Sequence, residues 1–203
     1  MSVISFKQRV CNAIIQGASD YKDLLLDYDY LVFNGQFTKR PYYLINSLLT
    51  NYLHLTGVHT SLSTYDFYNK SINGTLTEHD FDFVKPGKKE SSVKGSVRQK
   101  IQALSLIPSF FQQKLVAEED LTRNVISCSL AASENKITMG FANDIDAKPK
   151  TLLLGNVLDK TKSLNVTLVL RRNKGADYFD TIIQGGENDL LELINKNINS
   201  KVN

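Results

Sequence analysis

The chain has little of what most site chemistries are built from. Cys11 and Cys128 are the only cysteines in 203 residues, far apart and without CxxC spacing, which excludes a disulfide framework and a cysteine zinc site. Both read as free, buried thiols with no metal or redox role. No run approaches the roughly 18 apolar residues that a membrane-spanning helix needs. Lys7 and Arg9 interrupt the apolar positions of the N-terminus, so no secretory leader is expected and the protein reads as cytoplasmic, with no membrane partner. A Walker-type loop, GxGxxG, HExxH and GxSxG are all missing. Gly185-Gly186 reads as a turn, and neither a metal nor a cofactor is expected.

What is present describes a globular domain. Apolar residues make up 42% and charged residues 22%, close to ordinary soluble usage, and the length suits one domain over residues 1–203. The net charge of +3 is too small to mark a nucleic-acid binder by itself. Its distribution says more, since residues 1–84 carry six Lys/Arg against eight Asp/Glu, and residues 85–203 carry eighteen against thirteen. The basic excess belongs to the second part.

Val3, Phe6, Val10, Ala13, Ile14 and Gly17 recur at three- and four-residue steps, and Tyr21, Leu24 and Leu25 continue them. This predicts a helical part over residues 1–26, as one helix or as two broken near Gly17. Tyr30–Phe33 and Tyr42–Ile45 read as strands about an Asn34-Gly35 turn, and Ser63 heads a helix that stops at Gly74. Thr77 is placed to cap a short turn. Residues 85–96 read as a basic internal loop, followed by a helix from Ser96 to near Pro108. Five β-like runs, Val125–Leu130, Ile137–Phe141, Thr151–Gly155, Val166–Leu170 and Phe179–Ile183, follow within 114–185, the region expected to form the main antiparallel sheet, with a hairpin about Ser133–Lys136, and a short helix over 189–198 closes the chain. Helices first and strands second predict an α+β fold, N-terminal helices packed on a curved antiparallel sheet of about four to six strands.

The densest candidate site is Asn51–Thr60, which holds His54, His59, Thr56, Thr60 and Gly57 between apolar neighbours. Imidazoles suit proton transfer near neutral pH, and a nuclease that activates a ribose 2′-hydroxyl without metal needs one group to take that proton and another to protonate the leaving oxygen. Thr56 and Gly57 either approach a phosphate or cap a turn. His79, between acidic neighbours, reads as a surface residue. Arg171 and Arg172 at a strand end either clamp a phosphate or are solvated edge residues, and alternation puts at most one in a given cleft. Lys85, Lys88, Lys89, Lys94, Arg98 and Lys100 either attract a polyanion or solubilise a loop. Asp120, Glu134 and Lys136 superficially match a metal nuclease, although a hairpin turn is the wrong place for such a set.

The segment Asn51-Tyr52-Leu53-His54-Leu55-Thr56-Gly57-Val58 resembles the NFLHLTG block of a phage and mobile-element family. That family belongs to the nuclease group named after barnase, EndoU, colicin and RelE-like toxins. Ser61–Ser63, Asp66–Tyr68, Gly74–Leu76 and Asp80-Phe81 are similar to the helix after that block. Lys100–Leu104 resembles the family's next helix, and Pro149–Leu153 a later Pro-x-Ser/Thr-Leu-Leu segment. The resemblance implies RNA cleavage, of tRNA or mRNA, with His54 as the matching histidine and Thr56 and Gly57 beside it. Lys100, Lys150 and Thr151 are its implied phosphate-side partners, and His59 falls where variation is expected.

The leading expectation is a metal-independent endoribonuclease or toxin-like protein acting by 2′-hydroxyl attack. His54, Thr56, Lys100 and Arg171 would be catalytic; Gly57, His59, Lys88, Lys89, Lys94, Arg98, Lys150, Thr151 and Arg172 would bind nucleic acid. The rival is a non-catalytic protein on the same fold that binds nucleic acid, or binds and inhibits a host defence or CRISPR component. An immunity or host defence protein is the protein partner considered.

Overall fold

The computed structural model describes residues 4–123, 126–142 and 147–200, with the backbone alone for 197–200. Val3 and Val125, expected at the starts of elements, lie outside the described residues. Helix α1, Phe6–Tyr21, is unbroken; Ser5 caps it by accepting from the Gln8 N–H, and Val10, Cys11, Ile14, Gly17, Ala18 and Tyr21 form its buried stripe. A π-helical turn, Lys22–Leu26, then leads into strand β1, Tyr28–Phe33. Strand β2 is Tyr43–Asn46. The turn at Gly35 and Gln36 is one part of the longer connection between the two strands.

Three further helices complete the first half. The short α2 is Tyr52–Thr56, and α3 is Thr64–Ile72, capped by Ser63 through the Asp66 N–H. At the single turn Glu78–Asp80 the Asp80 carboxylate accepts from both the N–H and the hydroxyl of Thr77. Helix α4 is Glu90–Leu104. It corrects the loop expected over 85–96, because residues 90–96 are already helical. Val93 and Val97, both buried, extend the apolar stripe back into that basic segment; at this position the helical period overrides the Gly/Ser/Lys composition.

Seven strands follow, β3 Val116–Arg123, β4 Ile126–Ser133, β5 Ile137–Phe141, β6 Pro149–Leu154, β7 Leu164-Asn165, β8 Leu168–Asn173 and β9 Thr181–Gln184, and then α5, Glu187–Ser200. They do not form one sheet. A four-stranded sheet has the order β2-β1-β8-β9 and a five-stranded sheet the order β6-β5-β4-β3-β7, every strand pair antiparallel. The α+β class with a leading helix holds, and the last two strands of the second half join the first two of the chain. A bridge between Ile45 and Ala147 links the sheets.

The main core lies between α1–α4 and the two sheets and includes Val10, Ile14, Tyr21, Tyr52, Leu55, Phe67, Val97, Leu104, Leu130, Met139 and Phe141. Strand β5 is buried at all five positions although Ile137, Met139 and Phe141 alternate with Thr138 and Gly140, because both of its faces are covered. A second cluster seats Leu193 of α5 on Leu31, Phe33, Leu168 and Leu170. Gly17 is where α1 meets α2 and α4: a Cβ there would lie 2.9 Å from the Tyr52 hydroxyl and 3.5 Å from Leu104. This contact fixes the level at which α2, and so His54, sits against the helical layer.

Candidate active site

The HLTG block is a helix end and not an open loop. Helix α2 stops because Gly57 takes the left-handed conformation, φ 77°, which a side chain would make strained. Thr56 is fully buried, and its hydroxyl donates to the Leu53 carbonyl at 2.8 Å while accepting from the Val58 N–H at 3.4 Å. That use of its one O–H leaves none for a phosphate and gives Thr56 a capping role. The His54 side chain is exposed and has no hydrogen bond or ion pair among the described residues.

Directly against this helix end lies Lys100 of α4. Gly57 is required here twice over, since a Cβ on it would stand 2.5 Å from Lys100 Cδ. The Lys100 Nζ donates to the His54 carbonyl at 3.2 Å, to Thr151 Oγ1 at 3.4 Å and to the Leu152 carbonyl at 3.3 Å. So α2, α4 and β6 converge on one ammonium. The residue keeps partial exposure while its ammonium end is nearly enclosed. Burial first, and the charge of Lys85 second, push Lys100 down to about 8. Burial and the charge of Lys88 in turn lower Lys85. None of the ion pairs among the described residues involves Lys85, Lys88 or Lys100. Like charges close enough to depress a neighbour, none of them paired with a carboxylate among the described residues, form a place where an anion is stabilised.

Lys100 also lines a cavity of about 340 Å³, together with Ser96, Gln99 and Arg123. Ile126, Leu152, Leu153, Leu154 and Val157 complete its wall. Ser96, Gln99 and Lys100 stand at i, i+3 and i+4 on α4, a spacing that was available in the sequence. Arg123 carried no such signal, because it sits in the polar run that also hid strand β3.

The other expected site residues divide clearly. Thr151 is brought to Lys100; Lys150, next to it, points its Nζ to the Ser127 carbonyl at 2.7 Å. His59 pairs through its backbone with Asp82, and its Nδ1 stands 3.2 Å from the Asp82 carboxylate. Asp82 is held below the usual carboxylate range, first by the Val84 N–H and also by His59. Lys94 pairs with Glu90 and lies over the Phe83 ring, and Arg98 lies over Phe6. Lys88 and Lys89 are exposed just before α4. Arg171 and Arg172 are engaged on the four-stranded sheet. Arg171 stacks on Tyr28 at 4.4 Å; Arg172 pairs with the buried Asp29 at 3.2 Å and covers Phe179.

The Asp120, Glu134 and Lys136 set does not assemble. Asp120 follows Glu119, which faces Leu130, whereas Glu134 lies beyond the Val116–Ser133 pair. The separation along the strand is four residues or more, on the order of 13 Å. Asp120 pairs instead with Lys39. Among the described residues no group of three His, Cys, Asp or Glu side chains is arranged to hold a metal ion. No helix among them is long and apolar enough to cross a membrane.

Comparison with curated proteins and with solved structures gives no match in either set. A family match does exist, and it runs from residue 13 to residue 201, taking in α2, Gly57, Lys100 and Thr151. It carries a nuclease or toxin-like role with it. The chain belongs to the family described as phage-Barnase-EndoU-ColicinE5/D-RelE like nuclease 4.

Proposed function

We propose that this protein is a metal-independent endoribonuclease, toxin-like and of phage or mobile-element origin, acting in the cytoplasm of the bacterial cell that carries it. The observation that supports this most is the enclosed ammonium of Lys100, held by the His54 carbonyl and Thr151 with no carboxylate partner, inside a chain of a nuclease family. RNA carries both reactants that such a site needs, a phosphodiester anion and an adjacent hydroxyl.

In this reading His54 takes the proton from the ribose 2′-hydroxyl. The 2′-oxygen then forms a bond to phosphorus, the bond from phosphorus to the 5′-oxygen breaks, and the departing 5′-oxygen receives a proton from solvent water. The products are a 2′,3′-cyclic phosphate and a 5′-hydroxyl. Lys100 binds a non-bridging oxygen and neutralises the charge that builds there, in a setting where burial makes each charge count for more than in water. At pH 7 a lysine titrating near 8 is about tenfold more charged than neutral, so the ammonium is the working form. Lys88, Lys89, Lys94, Arg98 and Lys150 add attraction for the backbone, a sequence-independent contribution, and tRNA or mRNA is the target class.

Incubating total RNA in EDTA with the wild type, His54→Ala and Lys100→Met tests this. Cleavage by the wild type and its loss in both variants supports the reading. No cleavage, or equal cleavage by all three, removes it; absence of cleavage with a stoichiometric protein complex that survives RNase supports the rival, an inhibitor of a host defence component.

A further inference from the structure

The cavity beside Lys100 has a chemistry of its own. One side is polar, with Lys100 and Arg123 as cations and Ser96 and Gln99 as neutral hydrogen-bonding groups; among the described residues no acidic side chain lines it. The other side is aliphatic and includes Leu152, Leu154 and Val157. Leu154, the last residue of β6, is 40% exposed. Arg123 reaches across to the Val157 carbonyl at 3.5 Å, a weak contact that a better acceptor would displace. The three bonds of Lys100, at 3.2–3.4 Å, are likewise longer than the roughly 2.7–2.9 Å of a charge-assisted bond. Both cations are therefore held by neutral acceptors; each of the three N–H groups of Lys100 has one, at a distance that a charged acceptor would shorten, so a phosphate oxygen would replace one of them.

We infer that this cavity is a subsite for one unpaired nucleotide, its phosphate held between Lys100 and Arg123 and its base lying against the aliphatic wall within reach of Gln99 and Ser96. Two cations without an acid call for an anion. An aliphatic wall beside neutral donors and acceptors suits a group with an apolar face and polar edges, and a nucleotide carries both that and the anion. The volume of about 340 Å³ lies at the small end of the range for ligand sites, about 300–1,000 Å³, so it admits one base removed from its stack and not a base pair. Specificity for unpaired RNA, with the base next to the cleaved phosphate read by Gln99, follows. The inference rests on the nuclease reading above for its meaning, although the binding it describes is measurable without cleavage.

The test is calorimetric titration of the protein with the four nucleoside 3′-monophosphates, ribose 5-phosphate and inorganic phosphate. Covering one face of a base with the aliphatic wall removes roughly 60 Å² of apolar surface from water, worth about 1.4 kcal/mol or about a tenfold gain in affinity, so at least one nucleotide is expected to bind at least about tenfold more tightly than ribose 5-phosphate. Ser96→Phe, at an exposed position of α4, fills the cavity and should abolish that preference. Arg123→Ala, also at an exposed position, should weaken every phosphate ligand alike, and it decides the matter if Ser96→Phe does not fold. No preference for a nucleotide over ribose 5-phosphate, or wild-type affinity in both variants, overturns the subsite. RNA cleavage that persists unchanged in Ser96→Phe overturns it too, while leaving the nuclease reading intact. Nucleotide binding that meets these expectations without any RNA cleavage supports the subsite and counts against the nuclease reading alone.

Discussion

Lys100→Met separates the chemistry of the site from the stability of the fold, and its signature is a pH dependence. In the folded chain Lys100 titrates at about 8, and in the unfolded chain near the ordinary lysine value of about 10.4. Between those values the unfolded chain holds a proton that the folded chain has released, so stability rises with pH across that window. Below pH 8 both forms hold the proton and the charged lysine carries its full burial penalty. Between pH 7.5 and 9.5 the gain works out at about 2 kcal/mol, and the partial opening of the cavity to solvent reduces this to about 1–2 kcal/mol. Methionine keeps the length and the apolar stem without the charge. Urea denaturation of wild type and Lys100→Met at the two pH values gives the double difference, in which the other lysines, the tyrosines and the thiols cancel. The wild type should gain about 1–2 kcal/mol over the variant on going to pH 9.5. Parallel behaviour of the two proteins would refute the claim that this ammonium is enclosed. Cleavage should decline over the same range, as the pH passes through about 8 and the ammonium is lost.

Three further substitutions probe the surroundings of that charge. Gly57→Ala forces a side chain into the left-handed region and against Lys100 Cδ, so it should cost about 1–2 kcal/mol in urea denaturation and reduce cleavage by about a hundredfold through displacement of the lysine. His54→Ala, at an exposed position, should leave stability within about 0.5 kcal/mol and lower the single-turnover cleavage rate by about 10²–10⁴. His59→Ala loses only an exposed pair with Asp82, worth under about 1 kcal/mol, and should cleave at the wild-type rate. Arg172→Ala leaves the buried Asp29 with Lys174 alone, so it should destabilise by about 1–3 kcal/mol without changing the rate per folded molecule; a selective loss of rate would return the arginine pair to the active site.

More of the Lys100 junction than of the sheet topology is legible in the sequence. Helix caps at Ser63 and Thr77 and the β4–β5 hairpin were legible because their signals are local, a hydroxyl three residues before its partner or a turn between two apolar runs. The β8–β1 pairing joins Arg172 to Asp29 across most of the chain, and no local pattern announces it, so one sheet was expected where two exist. Strand β3 was missed because Glu118, Glu119 and Asp120 look like a surface stretch. In the fold Glu118 is buried and accepts the Asp159 N–H, and Glu119 accepts from Thr38, Lys39 and Tyr43. Gly57, Lys100 and Thr151, all named from sequence, meet the backbone carbonyl of His54 at one junction, while the His54 side chain is exposed. Thr56 and Arg171 were named for the same chemistry and are committed to capping and to a tyrosine face. Residue type alone does not tell a hydroxyl that faces a ligand from one that closes a helix.

The most direct test of the central claim uses one RNA and its replacement lacking a single 2′-hydroxyl at the cleaved linkage. In EDTA the wild type is predicted to cut the all-ribose strand, leaving a 2′,3′-cyclic phosphate and a 5′-hydroxyl, and to leave the substituted linkage intact. Equal cutting of the two strands, or products ending in a 5′-phosphate, would contradict 2′-hydroxyl attack at the His54 and Lys100 site.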